Sequence, residues 1–263
     1  MILRRISDAF RKQDWFTVAV ETLIVVLGVF LGIQLGNWNE GQADMRRGSA
    51  YAQRLAIDIR TDIRDRSNLL AYYEAVNDSA ERTAALLASS SPDPRELVVN
   101  AYRATEYATH QPTRSTWDEI VSSGDIGLLP PDFVEDGWGS YFTDITANNA
   151  AQNALASSYR QRVRRTIPHE IQRAIRESCG DKRDEIGNVT GFRADCNLDV
   201  SDEEWATAAE ALLSDPELLP DLRLHFSNLS SARGDLTGSL YSLQQAIGVL
   251  ESGSTGAKRA PAE

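Results

Sequence analysis

The sequence predicts an all-α protein: an N-terminal transmembrane helix followed by an exported antiparallel helical bundle. Three observations lead there. The 25 residues from Trp15 to Asn39 carry one charge, Glu21. Ser49 to Ser89 contains neither proline nor glycine, and its apolar residues fall at helical spacing. From Leu222 to Leu250 the chain steps by four and three through Phe226, Leu229, Arg233, Leu236, Leu240, Leu243 and Ile247, a heptad seam with one polar member. No β-hairpin signal competes with these patterns. The expected organisation is a cytoplasmic tail 1–14, a span 15–38, a helical bundle 39–252 and a disordered tail 253–263.

The span follows from length. A hydrocarbon layer about 30 Å thick needs roughly 20 apolar residues in a helix, and Phe16 to Gly36 supplies them. Trp15 and Trp38 mark its ends, where indoles favour the membrane boundary. Gln34-Leu35-Gly36-Asn37-Trp38 after the apolar run is not a signal-peptidase pattern, so the span should be retained. The residues before Trp15 hold Arg4, Arg5, Arg11 and Lys12 against Asp8 and Asp14. That bias places the N-terminus in the cytoplasm and the remainder outside it. Glu21 either reaches back to the headgroup level or meets a partner helix, and Gln34 is a weaker polar contact of the same kind. Gly28, Gly32 and Gly36 repeat every four residues, a face on which a second backbone can approach closely.

The body is acidic. The whole chain carries a net charge of −11, with 27 Lys and Arg against 38 Asp and Glu. Such a body is a poor partner for nucleic acid or for anionic headgroups. The Ser49 helix should end at Ser89-Ser90-Ser91-Pro92, and a shorter helix should run from about Arg95 to Tyr107. Thr116 with Glu119 reads as a capping box, Gly124 as a stop, and Trp117 as a buried anchor between them. Pro130-Pro131 should launch a helix running to Ser178, kinked near Pro168. Cys179 and Cys196 bracket a polar loop, and outside the cytoplasm they should pair. Ser201 with Glu204 is a second capping box, opening a helix to about Ser214. Asp62 and Arg66 sit at seam positions of the first long helix, and a pair between Asp62 and Arg233 would fix its register against the last one.

Chemistry is sparse. Glycine-rich phosphate loops, H-E-x-x-H, E-x-x-H and G-x-S-x-G are absent from the sequence. His110, His169 and His225 lack metal-ligand spacing and read as surface or cap residues. No catalytic residue, cofactor or metal is expected; an enzyme built around Trp117, Asp118 and Glu119 is the weakest alternative. Tyr159 to Glu177 carries Arg160, Arg162, Arg164, Arg165, Arg173 and Arg176, a basic cluster whose first four members are the candidate contacts for an anion or partner, unless they pair with bundle carboxylates or are simply solvated.

Two blocks carry a resemblance. W-F-x-x-A-V-E-T-x-I-V-V-L-G-V-F-L-G-I-Q-L-G-N-W-N, Trp15 to Asn39, resembles the start of a family of uncharacterised bacterial single-pass membrane proteins. P-T-R-S-T-W-D-E-I-V-S-S-G-D-I-G-L-L, Pro112 to Leu129, is similar to its second block. Together they cover about a sixth of the chain. The resemblance implies a bacterial inner-membrane anchor with an exported helical domain, and no activity or functional residues. The expected role is therefore non-catalytic: interaction or assembly at the membrane, as a homo-oligomer or with another membrane protein. A ligand-sensing periplasmic domain that signals through a partner is the alternative.

Overall fold

A computed structural model describes residues 15–256. The expectations for the tail 1–14 and for 257–263 lie outside the described residues. The protein is all-α, with a single two-stranded ribbon among the described residues. It divides into two compact units, Met1–Ala50 and Tyr51–Glu263.

Helix α1 runs Trp15–Leu87, so the span and the Ser49 helix are one element. In the first unit its apolar side chains from Leu23 to Trp38 are exposed. A β-carbon added at Gly28, Gly32 or Gly36 would meet no atom within 4 Å. Glu21 and Gln34 lie in the same exposed stretch.

The second unit is built on α1 and the last helix, α9, Leu218–Gly256. Helix α9 continues to Gly256, past residue 253, where the sequence reading has the bundle give way to a tail. Arg60 meets Glu251, and Arg66 meets Ser239. Residue numbers rise on one helix as they fall on the other, so the two are antiparallel. Their shared interior is split. One apolar cluster gathers Tyr51, Leu55 and Ile59 of α1 with Leu243 and Leu250 of α9. The other gathers Leu69, Tyr73 and Val76 with Leu222, Leu229 and Leu236. Asp62 and Arg66, both fully buried, lie between these clusters along α1.

Shorter elements complete the walls of both clusters. Helix α2, Pro94–Arg103, starts where Asp93 accepts the Glu96 N–H at 2.7 Å. Helix α3, Ser115–Ser123, stops at Gly124, whose φ of 76° only glycine adopts without strain. Its start corrects the sequence reading. Thr116 is buried inside the helix, Glu119 pairs with Arg54, and no side chain caps the N-terminus. Trp117 is only partly buried; its ring stacks on Phe142 at 4.9 Å.

The helix expected from Pro131 to Ser178 is instead a broken series: α4 Pro131–Glu135, a 3-10 turn Trp138–Thr143, α5 Thr146–Ala156, α6 Ser158–Thr166 and α7 His169–Cys179. Gly137, at φ 73°, ends α4. A β-carbon at Gly139 would overlap the Trp117 ring, so the 3-10 turn lies flat on that indole. Pro168 forces Ile167 into extended backbone and separates α6 from α7. The loop between the cysteines also differs from expectation. Asp181–Arg183 (β1) and Val189–Phe192 (β2) pair antiparallel across a turn closed by Gly187 at φ 95°. Strands of three and four residues are too short for alternation to reveal. The Ser201–Glu204 capping box is present in both halves and opens α8, Asp202–Leu213.

Candidate functional site

The chemistry-bearing side chains of the bundle converge on the segment 104–114 between α2 and α3 and on the hairpin β1–β2. The segment is pinned at several points. The buried Asp62 carboxylate accepts the Thr113 backbone N–H at 3.1 and 3.0 Å, its hydroxyl at 2.7 Å and the Tyr141 hydroxyl at 2.8 Å. His110 Nε2 stands 3.5 Å away, too far for a good hydrogen bond. Burial alone would raise the Asp62 pKa; these donors outweigh it and hold the carboxyl below the ordinary value. Tyr73 donates to the Ala108 carbonyl at 3.0 Å. Arg66 completes the layer by pairing with Asp144 at 2.8 Å, donating to Ser239 and lying over the Tyr141 ring. The expected pair of Asp62 with Arg233 does not form: each has other surroundings, and the Arg233 Nε has no hydrogen-bond partner.

Of the two readings of the histidines, surface group or cap, His225 takes the second. It is buried on α9, with Nε2 2.7 Å from the Ala104 carbonyl and Nδ1 3.1 Å from the Ser157 hydroxyl. The carbonyl can only accept, which assigns the proton to Nε2. Burial lowers its pKa, so the neutral ring serves as a cap on the end of α2. His169 is exposed at the start of α7.

The arginine cluster of α6 is mostly used within the bundle. Arg160 donates to the Thr105 carbonyl and lies over Tyr107, and burial lowers its pKa. Arg162 bridges Asp215 at 3.2 Å and Asp221 at 2.6 Å. Arg164 pairs with Glu106 at 2.9 Å, donates to the Thr105 hydroxyl at 2.7 Å and stacks on Tyr102. Arg165 is exposed and meets Gln161. Three of the four therefore brace the 104–114 segment or α9. Of the alternative Trp117 set, Asp118 pairs with Arg114 and Glu119 with Arg54 at the surface.

The hairpin is held as firmly. Cys179 and Cys196 form a disulfide with a Cα–Cα distance of 4.8 Å. Arg103 donates to the carbonyls of Cys179 at 2.9 Å and Arg193 at 2.8 Å, with its guanidinium over Phe192. Tyr72 donates to Asp181 at 2.7 Å; burial, then that carboxylate, pushes its pKa up. Asn188 donates to Asp65 of α1 at 3.0 Å.

Segment and hairpin enclose two neighbouring pockets that share Glu106 and Arg183. One, of about 440 Å³, is walled by Asp65, Tyr107, His110, Arg160 and Asn188. The other, of about 510 Å³, is walled by Arg176, Asp181, Lys182 and Arg193. Arg176 belongs to the arginine-rich stretch visible in the sequence, but Lys182 and Arg193 do not stand out there, because only the hairpin fold brings them beside it. Among the described residues, no group of three His, Cys, Asp or Glu side chains could hold a metal ion. No protein-family model, curated protein or solved structure matches this chain.

Proposed function

We propose that the protein is a non-catalytic, membrane-anchored assembly protein whose bundle lies on the periplasmic side of a bacterial inner membrane. The observation that carries this is the first unit: a helix whose apolar side chains, Leu23 to Trp38, are all exposed and long enough to cross a bilayer. Water does not tolerate that surface; lipid does. The paired cysteines support an oxidising compartment, and the basic residues before Trp15 support an N-terminus left in the cytoplasm. The open glycine face supports packing of the span against another helix, with a second copy of this chain as the partner. In the bundle, the histidine and carboxylate groups that could do chemistry act as fasteners: His225 caps α2 and Asp62 anchors Thr113.

The test uses the full chain in bacterial membranes. The protein should resist carbonate extraction, and alkaline phosphatase fused after Glu263 should be active. Crosslinking should give a dimer band that Gly32→Leu weakens at least several-fold. Recovery in the aqueous fraction, an inactive fusion or a strictly monomeric span would each overturn the corresponding part. A second reading, a ligand-sensing domain that signals through a partner span, is favoured by one observation, the basic pocket beside the hairpin.

A further inference from the structure

The pocket of about 510 Å³ between α7 and the hairpin has an unusual charge balance for a chain of net charge −11. Four cations wall it, Arg176, Lys182, Arg183 and Arg193, against two carboxylates, Glu106 and Asp181. Both carboxylates are already engaged. Glu106 pairs with Arg164 at 2.9 Å, and Asp181 holds Arg183 at 3.1 Å and the Tyr72 hydroxyl at 2.7 Å. Of the cations, only Arg183 meets a carboxylate. Arg176 reaches no further than the Tyr102 hydroxyl at 3.2 Å, and Arg193 donates to the Glu177 carbonyl. Lys182 is exposed on β1 beside them. The positive charge is therefore left over after internal pairing, and its three exposed carriers line one open cavity.

The scaffold keeps these groups together. The disulfide and the Arg103 fork fix the end of α7, which bears Arg176, against the strand end that precedes Arg193. The fold thus holds three like charges around one cavity, where a multivalent anion can meet them together. Guanidinium groups grip oxyanions through paired N–H donors, and an ammonium adds a point charge.

We propose that this pocket binds a free, small oxyanion carrying at least two negative charges, a phosphate or carboxylate compound, with Arg176, Lys182 and Arg193 as its contacts. The inference is independent of how the span assembles. The experiment is calorimetric titration of the full chain in phosphatidylcholine nanodiscs with inorganic phosphate, pyrophosphate and citrate. At least one should bind at a single site, and binding should weaken as salt rises. The double variant Arg176→Gln/Lys182→Gln should lose at least tenfold in affinity, while Arg165→Gln on α6 leaves it unchanged. Should the double variant misfold, acylation footprinting of the unaltered protein decides: the bound anion should protect Lys182. Absence of binding with all three probes, equal affinity in the double variant, or an unprotected Lys182 would overturn the proposal. Retention only by phosphatidylglycerol vesicles would overturn it too, by assigning the charge to a lipid headgroup.

Discussion

Helix α6 and the disulfide-tied hairpin region are both rich in arginine, and they use it in opposite ways. On α6, Arg160, Arg162 and Arg164 are turned onto carbonyls, carboxylates and rings of neighbouring elements. Around the hairpin, Arg176, Lys182 and Arg193 border a cavity whose carboxylates are taken by other partners. The denser cluster in sequence is the structural one; the dispersed set is the one left with charge to offer. What separates them is the partner of each cation, which depends on tertiary contacts and not on local density.

The strongest way to sharpen that comparison is to remove a cation that is fully committed. Arg66 is wholly buried, pairs with Asp144 and packs on Tyr141. Arg66→Ala leaves Asp144 without its counter-charge between the two apolar clusters. Breaking a buried pair from one side costs about 3–5 kcal/mol. Urea denaturation should show a loss of that size, with oxyanion binding retained at urea concentrations where the fold survives. A loss below about 1 kcal/mol would mean that the polar layer does not hold the clusters in register.

Arg164→Ala comes next. It removes hydrogen bonds to Thr105 and Glu106 at a site only partly open to water. Charged hydrogen bonds of this kind contribute roughly 1.5–3 kcal/mol. The substitution has a second effect that tests the comparison directly. It frees the Glu106 carboxylate, which also walls the basic pocket, so pyrophosphate affinity should fall even though Arg164 itself is not proposed as a contact. Unchanged affinity would mean that Glu106 is too far or too well solvated to influence the pocket.

The large elements were legible because periodicity reports the face a helix buries. The α1 and α9 seams, the Ser201–Glu204 box and the Gly124 stop all rest on local patterns that tertiary structure left alone. The failures have physical causes. Thr116 and Glu119 have the spacing of a capping box, but packing buries one and Arg54 takes the other. The Pro131 helix breaks where Gly137 turns left-handed, where Ser157 is extended and where Pro168 constrains Ile167. The groove was invisible for a different reason. Its walls come from the 104–114 segment, the end of α7 and a hairpin with strands of three and four residues, and no local pattern brings the first of these to the other two.

The smallest expected effect belongs to the uncommitted set. Arg176 is exposed and makes one long contact, to the Tyr102 hydroxyl. Arg176→Gln in the absence of ligand should shift unfolding stability by no more than about 0.5 kcal/mol, the usual range for surface substitutions without a special role. The sign is informative. If the three cations repel one another across an empty pocket, removing one relieves that repulsion and the shift should be stabilising at low salt, shrinking toward zero as salt screens the charges. Measuring the midpoint of unfolding at two ionic strengths separates this from loss of the Tyr102 contact, which salt would hardly change. A salt-independent destabilisation would place Arg176 with the braces of α6 and dissolve the distinction between the two groups.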